Sequence, residues 1–212
     1  MKSKYRVSNT VGIAALLSVA GVLLLSSCSV FKPVKTENPN TYAIEAEFPP
    51  VVAGKGELNL LVSMPVARAG FESARMIYLK KAHEIEHFSQ NQWVDSPARM
   101  LAPLLVQALE NTATYHAVIP ARSVASADLR LDTEIVRLQH EFLAKPSRVH
   151  ITMRAQLVDL REKSVLVTRE FDVTEASASE DPYGGVLATN RAVKVLLQQV
   201  ADFCVQGSSL AK

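Results

Sequence analysis

Three long segments in the second half of the chain alternate apolar and polar side chains, and this alternation constrains the fold more than any other feature. They span residues 127–139, 147–160 and 163–173. A period of two predicts β-strands that bury one face and expose the other. The short turn "REK" between the second and third segments predicts a hairpin. In the first segment the alternation changes phase at Val136, which predicts a bulge.

Shorter strands are predicted in the first half of the chain. "TYAIEA" at 41–46 predicts one, and the segment 56–66 predicts a second, because five apolar side chains fall on one of its faces. The segments 75–80 and 83–88 are rich in branched and aromatic residues and predict the two arms of a hairpin. The five side chains of the second strand are Leu58, Leu60, Val62, Met64 and Val66.

Two helices complete the prediction. Residues 95–114 offer Asp95 or Ser96 as an N-cap before Pro97, and Pro103 predicts a bend two turns in. Residues 186–206 follow a loop over 177–185 and carry an apolar stripe that includes Cys204, which predicts a packed core thiol. Together these elements predict an α+β domain, with a mostly antiparallel sheet and two main helices packed on one face as a two-layer sandwich.

The first 27 residues have the pattern of a secretory signal peptide. The basic residues Lys2, Lys4 and Arg6 precede an apolar run over 11–25, and small residues follow it. The alternative is a membrane-spanning anchor, but the run is glycine-interrupted and shorter than the span of about 20 residues that a bilayer needs. We therefore predict cleavage after residue 27.

The four residues Leu25, Ser26, Ser27 and Cys28 resemble the lipobox of bacterial lipoproteins. The resemblance implies that the first three are recognised by the signal peptidase and that Cys28 receives a diacylglycerol and an N-acyl chain such as palmitate. At ~0.8 kcal/mol per buried CH₂, these chains hold a protein to a membrane that it does not span. Inner-membrane lipoproteins of the enteric type carry an aspartate after the cysteine, so Ser29 implies the outer membrane, facing the periplasm.

The mature chain is predicted to hold one folded domain on a tether. Residues 28–41 are rich in proline and asparagine and predict a flexible tether, and residues 42–212 are long enough for a single domain. The 23 basic and 21 acidic residues are nearly balanced, which argues against a nucleic-acid surface. No cofactor is predicted beyond the lipid on Cys28, and Cys204 alone cannot form an intramolecular disulfide.

The sequence His83-Glu84-Ile85-Glu86-His87 spells the H-E-x-x-H motif of zinc metalloproteases. Two histidines at this spacing bind one zinc ion only on a helix, whereas on a strand they lie about 13 Å apart. We predict a strand here and interpret the motif as a coincidence, although Ile85 and Phe88 also fit one helical turn.

The segment 75–110, with the lipobox, resembles the ABC-type transport auxiliary lipoprotein family. This resemblance covers nearly all of the mature chain, and it departs from the family pattern at Ile44, where leucine is more usual, and at the histidine pair. It implies a non-enzymatic subunit whose partners are an MCE-domain protein, an ABC permease and ATPase complex, or both. The residues that carry the resemblance are Tyr42, Ile44, Arg75, Tyr78, Phe88, Trp93 and Pro97.

Three functions remain as hypotheses at this point. The favoured one is a lipid-anchored subunit that docks a lipid-transport assembly at the outer membrane; the others are a periplasmic lipid carrier and, less favoured, a zinc hydrolase that uses His83 and His87. Trp93 has either a packing role, which we favour, or a partner-facing one, and Arg75 and Tyr78 are further candidates for either. Self-assembly through strand pairing also stays open.

Overall fold

Nine strands and two helices follow one another in the computed structural model, which describes residues 38–49, 54 and 56–211. From Asn38 onward the chain forms one compact unit. In chain order the elements are β1 (Asn40–Tyr42), β2 (Asn59–Val62), β3 (Val66–Ala67), β4 (Arg75–Leu79), β5 (Glu86–Trp93), α1 (Pro97–Glu110), β6 (Ala117–Pro120), β7 (Leu129–Glu141), β8 (Arg148–Asp159), β9 (Ser164–Ala176) and α2 (Pro182–Ser208).

Strand β7 organises the sheet. Along one edge it pairs with antiparallel β8, which pairs with antiparallel β9. Along its other edge the short strands β2, β3 and β4 lie one after another, all parallel to it. Strand β5 returns antiparallel beside β4, while β1 and β6 pair in parallel with β5 and β2. The longest pairings are antiparallel, as the alternation predicted.

The predicted bulge lies where the sequence pattern changes phase. The pairing of β7 with β8 shifts register between Ile135 and Arg137, so Val136 is the additional residue. A bulge of this kind turns the following side chains over relative to the strand before it. Leu131 and Ile135 before the bulge and Leu138 after it can therefore all face the core.

Both helices pack on one face of this sheet. Helix α2 lies against β7, β8 and β9, helix α1 lies against β2, β3 and β6, and the two helices contact each other. Their apolar residues join the inward sheet residues in a single core, so the predicted two-layer α+β sandwich is confirmed.

Both helices begin at a proline in the first turn. Helix α1 begins at Pro97 after Ser96, as expected, but it ends at Glu110 rather than at residue 114. Helix α2 begins at Pro182, four residues before the predicted start, because the Asp181 carboxylate caps it by accepting a 2.7 Å hydrogen bond from the Gly184 amide. The prediction of a loop through residue 185 was therefore wrong.

Two predicted strands are shorter than their alternation suggested. Strand β1 ends at Tyr42, although burial still alternates from there to Phe48. The segment 56–66 is divided into β2 and β3 around Pro65, which has no amide hydrogen to donate to a neighbouring strand. Beyond this break the pattern reverses, so Met64 and Val66 are 41% and 61% exposed instead of buried.

The predictions for the N-terminal segment fall outside the described residues. They concern the signal peptide, the recognition residues Leu25, Ser26 and Ser27, lipidation at Cys28 and most of the tether. Strand β1 already begins at Asn40, two residues before the predicted domain boundary.

Within the described part of the chain, neither helix has the length and apolar content needed to cross a bilayer.

Candidate functional site

The histidine motif lies in a β-hairpin, not in a helix. Strands β4 and β5 pair antiparallel, which confirms the predicted hairpin, and His87 lies opposite Ile77. The prediction that both histidines lie on a strand was wrong for His83, which sits in the connecting turn with φ of 69°. Without a helix the two imidazoles do not share the face that zinc binding requires. Among the described residues, no group of three or more potential ligands is arranged to hold a metal ion.

The three residues proposed as partner-facing or structural lie on this same hairpin. Arg75 is exposed at the start of β4. Tyr78 donates a 2.6 Å hydrogen bond to Glu86 Oε2, which raises the pKa of its hydroxyl, and its ring lies 4.3 Å from that of Phe88. Trp93 is only 4% exposed and belongs to the core, so its position favours packing over direct contact with a partner.

An apolar groove of about 410 Å³ opens beside helix α1. One wall is the outer side of the helix, and the others are the ends of strands β2 and β6. Pro103 lines the groove and has no amide hydrogen, so the Arg99 carbonyl in the turn before it lacks its usual helical donor. The lining residues are Val62, Ser63, Met64, Asp95, Arg99, Ala102, Pro103, Val106, Pro120, Ala121 and Arg122.

The groove combines an apolar lining with two guanidinium groups and one carboxylate, that of Asp95. Arg99 forms an exposed ion pair with Asp95, with Arg99 Nε 3.4 Å from Asp95 Oδ2, whereas Arg122 makes no ion pair among the described residues. The volume falls in the range of small-molecule sites, about 300–1,000 Å³. Chemically, such a groove suits an apolar chain that ends in an anionic group.

A buried histidine lies between two serines that the sequence analysis did not single out. His140 Nε2 is 2.9 Å from Ser147 Oγ and 3.0 Å from Ser177 Oγ, while Nδ1 is buried without a partner. Burial lowers the pKa of His140, and the nearby Glu180 and Asp181 only partly oppose this. The residues come from β7, the following loop and the end of β9, so no local motif could have revealed them.

This cluster lacks the features of a catalytic Ser–His pair. A catalytic histidine is oriented by a third group on its other ring nitrogen, and here Nδ1 faces the backbone of Gly185. Ser147 is fully buried, so a substrate could not reach its hydroxyl. The cluster therefore joins the end of the sheet to the start of α2.

A second polar cluster lies on the sheet face opposite the helices. His150 Nδ1 is 3.0 Å from Glu141 Oε1, and its Nε2 is 2.8 Å from Asp172 Oδ1. Burial alone would raise the pKa of the Glu141 carboxyl, but hydrogen bonds from Gln139, His150 and Arg148 outweigh it and lower the pKa. These contacts connect β7, β8 and β9 across their outer face.

Cys204 is a packed core thiol, as its position on the apolar stripe indicated. It is fully buried on α2, and burial raises the pKa of its thiol to about 12. Next to it, Ser208 Oγ donates to the Cys204 carbonyl and accepts a 2.8 Å hydrogen bond from Tyr115. A thiol in this position is a poor nucleophile.

The described domain has a fold that is known from solved structures. The crystal structure of protein XCC0632 from Xanthomonas campestris, assigned to the family model DUF330, matches it with a TM-score of 0.71 and 20% identity over 80% of this chain and 97% of that chain. A second crystal structure, of an uncharacterized protein, matches with a TM-score of 0.63 and 13% identity over 79% of this chain and 99% of that chain. No curated protein matches the sequence.

The sequence also matches a family model, that of the ABC-type transport auxiliary lipoprotein component, over residues 42–201. The chain belongs to this family. The match begins at Tyr42, the residue where the predicted domain begins. The family description indicates a lipoprotein, held at a membrane on the periplasmic side, that is an auxiliary component of an ABC-type transport system.

Proposed function

We propose that this protein is a lipid-anchored periplasmic subunit that docks an ABC-type lipid-transport assembly at the outer membrane. Its partners in this proposal are an MCE-domain protein, the permease and ATPase complex, or both. The match to the auxiliary lipoprotein family over residues 42–201 carries the proposal. The lipobox at Cys28 and the serine that follows it support the outer membrane as the site of anchoring.

The features of the described domain fit a binding role better than catalysis. Its buried polar clusters connect strands and helix ends, and its histidine motif is divided between a turn and a strand. The exposed side chains of the β4–β5 hairpin offer a contact surface, and Trp93 is buried at the end of the same hairpin.

Crosslinking in intact cells followed by purification of the protein tests this function. We expect an MCE-domain or ABC component to copurify, and recovery of neither would contradict the proposal. Arg75→Ala, at an exposed site on the hairpin, is expected to reduce recovery if this surface faces the partner. Lys163→Ala, in the β8–β9 turn, serves as the matched control.

The anchoring part of the proposal is tested separately. Radiolabelled palmitate should enter the wild type and not Cys28→Ala. Membrane fractionation should place the wild type in the outer membrane, and Ser29→Asp should move it to the inner membrane. An unchanged distribution after Ser29→Asp would contradict the assignment to the outer membrane.

A periplasmic lipid carrier is the second candidate, and the apolar groove beside α1 favours it. Its volume of about 410 Å³ and its arginines would suit one acyl chain with an anionic head. Native mass spectrometry of the purified protein should then show copurified phospholipid. Val106→Glu, which places a charge in the groove, should remove the lipid, whereas Val165→Glu at an exposed site on β9 should not.

A further inference from the structure

Two loops lie together at one end of the sheet. Strand β4 runs parallel to β7 with Leu79 beside Glu141, and the Phe142 amide donates a 2.8 Å hydrogen bond to the Leu79 carbonyl. The turn 80–85 after β4 and the loop 142–146 after β7 therefore leave the sheet at the same end. We call these two segments the basic tip.

The basic tip exposes apolar side chains at the end of the sheet that also holds an aromatic cluster. Ile85 is 49% exposed and Leu143 is 45% exposed, one on each loop. At the same end of the sheet the half-buried rings of Tyr78, Phe88 and Phe142 pack together, with centroids 4.3 to 6.4 Å apart. Exposed apolar patches with polar rims mark surfaces that contact proteins or membranes, and a tyrosine ring suits the interfacial region of a bilayer.

The charge of the basic tip is positive. Its two segments carry three lysines and one carboxylate, Glu84, which pairs with Lys81 at 3.5 Å. Of the carboxylates beside the tip, Glu86 accepts the Tyr78 hydroxyl and Glu180 accepts a hydrogen bond from the Ser147 amide. Among the described residues, Lys80 and Lys145 make no ion pair; Lys80 Nζ lies 5.2 Å from the centre of the Tyr78 ring. Long basic side chains around an apolar centre extend towards phosphate groups while their methylene stems cover the apolar surface.

Strand β1, the first strand of the described domain, runs in the direction that leads away from the basic tip. Strand β1 is parallel to β5, with Asn40 beside Asn91. Strand β5 begins next to the turn 80–85, and because β1 is parallel to β5, the first residue of β1 lies on the side of β1 that faces that turn. Cys28 lies ten positions before Asn38 in the sequence, and at about 3.3–3.6 Å per position this limits a lipid on Cys28 to within roughly 36 Å of Asn38.

We propose that the basic tip contacts the surface of the bilayer in which the protein is anchored, with Ile85 and Leu143 among the lipid headgroups and Lys80 and Lys145 at anionic phosphates. This inference goes beyond the docking function and rests on it only for the anchor at Cys28. It gives the domain a fixed orientation, in which the opposite end of the sheet faces away from the membrane.

Site-specific fluorescence on the full-length lipidated protein tests this orientation. In Ile85→Cys the new cysteine is labelled with an environment-sensitive NBD dye. The native Cys204 is buried, so it does not react with the dye. The control is Val124→Cys, an equally apolar and fully exposed site in the loop before β7, at the other end of that strand. Both proteins are reconstituted into vesicles of phosphatidylethanolamine and phosphatidylglycerol that contain a headgroup-region quencher lipid.

We expect a blue shift and strong quenching at position 85 and neither at position 124. Lys80→Glu with Lys145→Glu should reduce the quenching, whereas Lys163→Glu with Lys194→Glu, two charges away from the tip, should leave it unchanged. Equal signals at positions 85 and 124 would overturn the proposal, as would quenching that is insensitive to the tip lysines. Absence of quenching at position 85 would also overturn it, and would leave a protein partner as the occupant of the tip.

The vesicle experiment separates this inference from the anchor itself. A protein that floats with vesicles but shows no quenching at position 85 keeps its anchor and contradicts only the tip contact. A protein that does not float at all contradicts the anchor at Cys28, and an unquenched label in that sample contradicts the tip contact as well.

Discussion

The buried carboxylate of Glu141 lies 3.0 Å from Nδ1 of His150 on the sheet face away from the helices. The contact joins β7 to β8 immediately before the loop that forms half of the basic tip. The same carboxylate accepts hydrogen bonds from Gln139 at 2.8 Å and from Arg148 at 3.1 Å. Glu141 is therefore the centre of the polar network at this end of the sheet.

Replacing Glu141 by glutamine should destabilise the domain. The amide keeps the shape of the carboxylate but loses its charge, and hydrogen bonds to a charged group contribute about 1.5–3 kcal/mol each. We expect the free energy of unfolding to fall by about 1–3 kcal/mol in urea titrations. Glu170→Gln, at an exposed site on β9, should change it by less than about 0.5 kcal/mol. Equal effects of the two variants would contradict a central role for Glu141.

Stability should decrease as the pH falls below about 6.5, the ordinary histidine pKa, because of His140. Burial lowers the pKa of His140 in the folded protein, so the unfolded chain binds a proton more readily in this range. By linkage, stability is greatest above the ordinary pKa and is lost as the pH falls from it towards the lowered folded pKa. Urea titrations between pH 7.5 and the onset of carboxylate titration near about 4.5 measure the slope.

His140→Phe provides the comparison for this pH effect. It keeps an aromatic ring beside Phe142, whose centroid lies 4.1 Å from that of His140, and removes the titration. The variant should show a shallower dependence of stability on pH than the wild type. An unchanged slope would mean that other groups cause the loss of stability at low pH.

Adding a methyl group at Gly185 should be unfavourable, although glycine is normally a poor helix residue. A Cβ there would lie 2.5 Å from His140 Nδ1, and the ring cannot move aside because its other nitrogen is held by Ser147 and Ser177. We expect Gly185→Ala to lower the free energy of unfolding by about 1–3 kcal/mol. In combination with His140→Ala the loss should be smaller than the sum of the two single effects. Full additivity would contradict the clash.

Cys204 should be unreactive in the folded protein. It is fully buried with a pKa of about 12, so little thiolate is present and reagents cannot reach it. In a Cys28→Ala background, a thiol reagent at pH 8 should label Cys204 only after denaturant is added. Val124→Cys in the same background should react at once without denaturant, because its side chain is fully exposed. Rapid labelling of native Cys204 would contradict the packed position.

Much of the fold follows from local patterns. The period of two in residues 127–173 determines the three long strands, because alternation alone decides which side chains a strand can bury. The phase change at Val136 predicted the bulge, and Pro97 predicted the start of the first helix. The helical alternative for the histidine motif was also rejected correctly from sequence, on the branched and aromatic residues around it.

The wrong predictions of strand and helix bounds lie where a local pattern competes with backbone hydrogen bonding. Met64 and Val66 continue an apolar alternation, but Pro65 cannot donate to the neighbouring strand, so the strand divides and both side chains become exposed. The Asp181 carboxylate accepts a capping hydrogen bond from the Gly184 amide. The second helix therefore begins before the first residue of its apolar stripe.

The sequence by itself determined the class of the fold and the family of the chain, and it predicts a lipid on Cys28. Only the tertiary structure decided which distant residues meet. His140 lies between Ser147 and Ser177, Glu141 contacts His150, and the loops of the basic tip lie together because parallel strands β4 and β7 end side by side. A period along the chain reports which face of an element is buried, whereas these contacts depend on strand order and direction, which no local pattern contains.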